Sequence, residues 1–356
     1  MATVEAEQQQ VLAALSDVDA RVLYRVQRVQ RGALRVAADR ISTLAALPHV
    51  RAVHAMTPKT PSNSVSVPFI GAPALWSGPA GQSYTGAGLT IAVIDTGVDY
   101  LHAAFGGSRR YADNGPTVIG DVPDFPGPKV IAGYDFAGDA YDADPDNSTY
   151  NPIPAPDPDP TDCYGHGTHV AATAAGFGVL DDGSGGFGGT FTGPYDAGVR
   201  TQSFLIGPGV APQASIIALK IFGCHGSSDL TELAIDWAVD PNGDGDFADK
   251  VDVINMSIGS PYGTTDDPSV VASDNAALAG VIVVASAGNS GNVYFAASSP
   301  GVADRAVSVA AIRNHLNMTG DPAAPVATTS FTARAAARDS ASSRTSPRRG
   351  RASTRR

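Results

Sequence analysis

Apolar residues in this chain gather in short continuous runs rather than in strict alternation. Five such runs are Leu89 to Ile94, Ala214 to Phe222, Val251 to Ile258, Val281 to Ala285 and Val307 to Ala311. Runs of this length predict strands buried on both faces, as in parallel sheets. Helical patterns lie between them. From Asp229 to Ala238, apolar side chains at Leu230, Leu233, Ala234 and Trp237 fall on one helical face. Asp229 followed by Glu232 resembles a capping box at the start of that helix. A second helix is expected from Pro268 to Ala279, stopping at Gly280. Strands alternating with helices predict an α/β fold, a doubly wound and mostly parallel sheet with helices on both faces. In such folds the active site lies at the carboxyl ends of the strands.

The pattern changes at both ends. Before Thr60, Ala33 to Ala37 reads as a strand, and Ile41, Leu44 and Leu47 fall at helical spacing ahead of Pro48. Val50 to Val53 is extended again, so residues 1–60 suit a small α+β module. Arg334 to Arg356 contains only Arg, Ala, Asp, Ser, Thr, Pro and Gly. Such a tract cannot bury a core and is expected to be disordered. Three regions follow: residues 1–60, 61–333 and 334–356.

Charge sharpens the division. The net −11 combines +3 over residues 1–60, −21 over 61–333 and +7 over 334–356. An acidic, loop-rich body is poorly suited to nucleic acid, whose phosphates demand a basic face. The Arg-rich tail reads as a solvated charge run. No stretch approaches the ~20 apolar residues of a membrane span. Met1 to Gln10 is polar, with no signal-peptide stretch of apolar residues behind a charged start.

Three positions carry candidate chemistry. Asp95 ends the first run, in Ile91-Ala-Val-Ile-Asp95-Thr-Gly97, where an acid enters the crevice or caps a turn. His166 lies in Gly165-His-Gly-Thr-His-Val170, ahead of a helix of small residues from Val170 to Ala175. It reads as a base, a metal ligand or a structural histidine. Metal-binding helices space two His at i and i+4 with Glu between them. His166 and His169 stand three apart without one. Asn289 follows the fourth run, where an amide donates to an oxyanion or simply makes a turn.

Together these residues resemble the subtilisin-like serine peptidases. The matching motifs are Val93-Ile-Asp-Thr-Gly97, Gly165-His-Gly-Thr-His-Val-Ala171, Val253-Ile-Asn-Met-Ser-Ile-Gly259 and Ala285-Ser-Ala-Gly-Asn-Ser-Gly291, in family order. The resemblance implies that His166 is the general base, that Asp95 orients it and that Asn289 completes the oxyanion hole. It places an extended protein or peptide substrate between Gly226-Ser227-Ser228 and Ser257-Ile258-Gly259, paired by main-chain hydrogen bonds. It gives His169 no catalytic part. It also implies a secreted zymogen, with residues 1–60 as the later part of an inhibitory pro-domain and no cofactor for catalysis.

Three further expectations attach to this reading. Asp240, Asn242, Asp244 and Asp246 alternate as in the opening of a calcium loop. Val251 stands at the twelfth position, so Asp249 or Asp252 must close a structural calcium site. In the implied fold Cys163 and Cys224 both border the active site, where a disulfide fits a secreted enzyme. The family nucleophile belongs in Gly-Thr-Ser-Met-Ala or a close variant after Asn289, and no Gly-Thr-Ser occurs there. Ser330 matches a strand before the nucleophile, not the nucleophile itself. The tail has the composition of a GC-rich gene read out of frame, which places a frameshift near Ala333. The rival expectation is a non-catalytic pseudo-protease that binds peptides.

Overall fold

The computed structural model of the chain describes residues 11, 15, 20–26, 31–50, 53, 63–78, 82–111, 124–291, 293, 296–312, 328–329 and 331–333. The expected disordered tail, Ser330, Arg51 and Ala52 lie outside the described residues. The chain divides into two compact units, Met1–Pro61 and Ser62–Arg356.

In the first unit, β1 (Arg21–Val26) pairs antiparallel with β2 (Arg31–Arg35). Helix α1 (Ile41–Ala45) follows and buries Leu44 against Leu15, with Val36 and Leu47 packed beside them. The strand expected at 33–37 therefore begins two residues earlier. Its partner β1 was not expected, because arginines interrupt its apolar pattern.

In the second unit, α2 (Asn63–Phe69) and α3 (Ala72–Trp76) precede β3 (Thr90–Asp95). Then come β4 (Val130–Asp135) and α4 (His166–Ala175). A small antiparallel sheet follows, made of β5 (Val179–Asp181), β6 (Phe187–Thr190) and β7 (Phe204–Ile206). The chain continues through β8 (Ser215–Lys220), α5 (Thr231–Val239), β9 (Val253–Met256), α6 (Pro268–Leu278), β10 (Ile282–Ser286) and β11 (Val307–Val309). Six strands form one sheet in the order β11-β10-β9-β3-β8-β4. Every pairing in it is parallel. All five apolar runs became strands of this sheet.

The period of two along a strand sorts the core into two layers. Ala92, Ile94, Ile217 and Leu219 face the cluster that contains Ile235 of α5 and Ala276 of α6. Ile91, Val93, Ile216 and Ala218 face Ala171 and Ala175 of α4. Each fully buried side chain, such as Ile94 or Leu219, contributes about 1.5–3 kcal/mol. Both faces of β3 and β8 are thus covered, which is why their sequences show no alternation. Among the described residues no helix is long and apolar enough to cross a membrane.

The structure corrects the expected pattern at three places. Val307 and Val309 are half exposed, at 55% and 50%, because β11 sits at the sheet edge with β10 as its sheet partner. Helix α5 buries Ala234, Ile235 and Ala238, whereas Leu233 points to solvent. Its start carries no capping box: the Asp229 carboxylate accepts from the Tyr141 hydroxyl, and Ser228 Oγ accepts from the Leu230 N–H at 3.2 Å. Helix α6 starts as expected, with Asp267 accepting from the Ser269 N–H at 2.9 Å.

Candidate active site

Parallel strands bring their carboxyl ends to one edge of the sheet. Asp95 closes β3 at that edge, in the middle of the sheet, and is fully buried. His166 is the first residue of α4. Its Nδ1 lies 2.7 Å from Asp95 Oδ1. The Asp95 hydrogen bond and charge raise the His166 pKa above its ordinary value, against the desolvation that lowers it. The imidazole is thus oriented by a carboxylate on one nitrogen, while 45% of its side chain stays open to solvent.

Two features let a helix start so close to a buried acid. The first is Gly167. A Cβ there would meet the Gly97 carbonyl oxygen at 2.2 Å and Asp95 Cβ at 3.1 Å. Only hydrogen fits between α4 and β3. The second is Asp162, which composition and spacing did not single out. Its Oδ1 accepts from Thr96 Oγ1 at 3.0 Å and from the Tyr164 and Gly165 N–H groups at 2.8 Å. Its Oδ2 accepts from the Thr168 N–H at 2.9 Å and from Thr168 Oγ1 at 2.5 Å. Thr96 Oγ1 in turn accepts from the Gly167 N–H at 2.8 Å. One carboxylate therefore satisfies donors at the open end of α4 and ties that end to the residue after Asp95. The only signal in the sequence was an acid four residues ahead of a histidine.

Asn289 lies in the exposed loop after β10, at the same edge of the sheet. Around it the Ala287 N–H donates to Val309 O, the Ala333 N–H to Gly288 O and the Gly291 N–H to Phe331 O, each at 2.8 Å. His169 faces solvent.

The Subtilase family profile matches residues 86–353 of the chain. The chain belongs to the subtilase family. Among curated relatives it is 29% identical to the minor extracellular protease Vpr of Bacillus subtilis (strain 168), over 72% of this chain and 24% of that protein. It is 31% identical to subtilisin DY of Bacillus licheniformis, over 59% of this chain and 51% of that protein. The chain thus spans between a quarter and a half of these relatives. Among solved structures it is similar to sphericase, with a TM-score of 0.46 and 26% identity over 74% of this chain and 65% of the other.

The two segments expected to border the substrate of this subtilase are tied to the body by hydrogen bonds. Ser227 is tied inward, its N–H to Asp142 Oδ1 at 3.0 Å and its carbonyl to the Ala143 N–H at 3.1 Å. Asp142 also accepts from the Asp144 N–H, Asn147 Nδ2 and Thr149 Oγ1, and these bonds hold its pKa down to about 2. A Cβ on Gly226 would meet the Asp142 carboxylate carbon at 2.1 Å. Gly226 stands at φ +90°, so its lack of a side chain serves both the left-handed backbone and the close approach of Asp142. On the other segment, Ile258 O accepts from Ser286 Oγ at 2.8 Å, and Ser257 Oγ accepts from Asn255 Nδ2 at 3.1 Å.

Cys163 and Cys224 are joined by a disulfide with a Cα–Cα separation of 5.1 Å. It links the segment before His166 to the segment before Gly226. Beneath it Lys220, a second residue missed in the sequence, is fully buried at the end of β8 and stands in register with Asp95 and Asp135. Its Nζ donates to Asp135 and, at 3.1 Å, to Asp139. Such a cation is tolerable inside only because it is paired.

In the acidic loop, Asp240 accepts from the Gly243, Asp244 and Gly245 N–H groups. Asn242, Asp244 and Asp246 each accept from the N–H two residues on. Asp252 is held away, accepting from the Thr90 N–H at 2.8 Å and Thr90 Oγ1 at 3.0 Å. Asp249 stays with the loop, accepting from the Asn242 N–H at 3.1 Å.

Proposed function

We propose that this subtilase is built for serine-type endopeptidase chemistry and that the 356-residue chain, as it stands, does not complete it. The observation that carries the reading is the 2.7 Å contact between buried Asp95 and solvent-facing His166 at the carboxyl edge of the sheet. His166 takes the proton of a serine hydroxyl and returns it to the leaving amine. Asp95 fixes the tautomer and stabilises the imidazolium. Asn289 donates to the oxyanion. An extended peptide pairs with Gly226-Ser227-Ser228 on one side and with Ser257-Ile258-Gly259 on the other.

No Gly-Thr-Ser occurs between Asn289 and Arg356, so these residues supply no family nucleophile for His166. Without one, about 10³–10⁴-fold catalysis over water is the ceiling set by triad knockouts. The test is to read the gene from the Phe331 codon onward in all three frames. A shifted frame that encodes Gly-Thr-Ser ahead of a helix of small residues supports the endopeptidase, and the restored chain then labels with a fluorophosphonate. If no frame supplies it, the peptide-binding pseudo-protease takes its place, with the same two segments as its binding edges.

Two accompanying proposals concern context. Residues 1–60 act as the later part of a pro-domain, and the enzyme works outside the cell, where its disulfide persists. Structural calcium is held by Asp240, Asn242, Asp244 and Asp246 with Asp249 in the closing role, because Asp252 is committed to Thr90. The donor set is all oxygen and suits a hard cation. Raised thermal stability with added calcium, abolished in Asp249→Asn, is the expected result.

A further inference from the structure

The cystine beside the active site has chemistry that proteolysis does not use. Asp139 Oδ1 lies 3.6 Å from Cys163 Sγ. One carboxylate oxygen of Asp139 and the two cysteine sulfurs all lie within 4.8 Å of one another. Zinc binds thiolate at about 2.3 Å and carboxylate at about 2.0–2.2 Å, which sets the S···O edge of a tetrahedral site at roughly 3.5 Å. Asp139 therefore already stands one ligand–ligand distance from Cys163. Cys163 is exposed and Cys224 half-buried, so a reductant reaches the bond from solvent.

We propose that reduction of Cys163–Cys224 opens a metal site in which Asp139, Cys163 and Cys224 hold one thiophilic divalent cation such as Zn²⁺, with water in the fourth position.

The electrons come from a dithiol. Its thiolate attacks one cystine sulfur, which breaks the S–S bond, expels the other cysteine as a thiolate and leaves a mixed disulfide; its second thiol then closes a ring and releases the attacked cysteine. Two electrons and two protons pass to the cystine, and the dithiol becomes a cyclic disulfide. Cation binding then displaces the two thiol protons to solvent. The surroundings favour this. With both cysteines as thiolates, Asp135 and Asp139 bring the local negative groups to four, against the single charge of Lys220. Lys220 donates at 3.1 Å to the same Asp139 oxygen that faces Cys163 and so fixes its position. The cation would join the same two segments that the disulfide joins. It would keep the stretch before His166 tied to the stretch before Gly226 in a reducing medium.

The test titrates the full chain with Co²⁺ in two states, oxidised and reduced with dithiothreitol, the latter desalted without air. The reduced chain is expected to take one equivalent, with a thiolate-to-cobalt charge-transfer band that Zn²⁺ bleaches. The oxidised chain is expected to show no such band. Asp139→Asn should weaken Co²⁺ binding by roughly tenfold or more, since even outer partners of metal ligands matter by 10–100-fold. Asp236→Asn, on the exposed side of α5, should leave it unchanged. Absence of the band in the reduced chain overturns the proposal. So does a band whose affinity is the same in Asp139→Asn, the result given by thiols that bind metal in an unfolded chain. Neither outcome depends on a working triad.

Discussion

Replacing Asp162 by alanine tests how the His166 segment is held. The carboxylate receives five hydrogen bonds, from Thr96, Tyr164, Gly165 and both donors of Thr168. The Tyr164 and Gly165 amides are exposed and regain water, so their loss costs little. The Thr168 amide is the cap bond, which contributes about 1 kcal/mol, at most about 2. The two threonine hydroxyls lose a charged acceptor in a half-buried place, at about 1 kcal/mol each. The sum is about 3 kcal/mol. For a domain of this size that is roughly 6–12 °C in Tm, at about 2–4 °C per kcal/mol. Thermal unfolding followed by circular dichroism measures it. Asp162→Asn, which keeps one acceptor oxygen, should recover about half. An NMR titration of His166 adds a local reading: its pKa should fall in Asp162→Ala, because the Asp162 charge helps to raise it. A Tm within about 2 °C of the parent together with an unmoved His166 pKa would refute the account.

Three other outcomes follow from the geometry. Gly167→Ala forces a methyl to within 2.2 Å of the Gly97 carbonyl, so it should destabilise the chain by more than Asp162→Ala in the same melt. Replacing Cys163 and Cys224 together by serine opens a link across 61 positions and should cost about 4 kcal/mol in a urea titration, if chain entropy dominates. Because the folded His166 pKa stands above 6.5, its pairing with Asp95 stabilises the fold fully below that value and is lost as pH rises through the folded pKa. Asp95→Asn should remove this component and return the NMR-detected His166 pKa toward its ordinary value.

The sheet was legible because burial on both faces writes itself as uninterrupted apolar runs. β4 escaped because only Val130 and Asp135 of its six residues are buried and a glycine lies within it. On α5 the expected face holds for Leu230, Ala234 and Trp237 and fails at Leu233, because the packed stripe turns toward Ile235 and Ala238. Asp95 and His166 were legible as residues, since strand end and glycine-flanked histidine mark local geometry. Lys220 was not, because its role exists only through partners far along the chain, Asp135 and Asp139, and the tie of Asp162 to β3 runs through a partner as distant, Thr96. No local periodicity encodes such pairings.

The order of strands gives the two halves of the site unequal resistance to opening. Asp95 belongs to a strand with neighbours on both sides, so its amides should exchange with solvent deuterium only in the rarest, most global openings. The Asn289 loop is anchored to Val309 on the outermost strand and to Phe331 and Ala333 beyond it. Fraying of that border releases the loop while the aspartate–histidine pair stays formed. In hydrogen exchange the amides of Ala287 and Gly291 should therefore lose protection well before those of Val93 and Ile94, and the side of the cleft proposed to hold the oxyanion would be the first part to come apart.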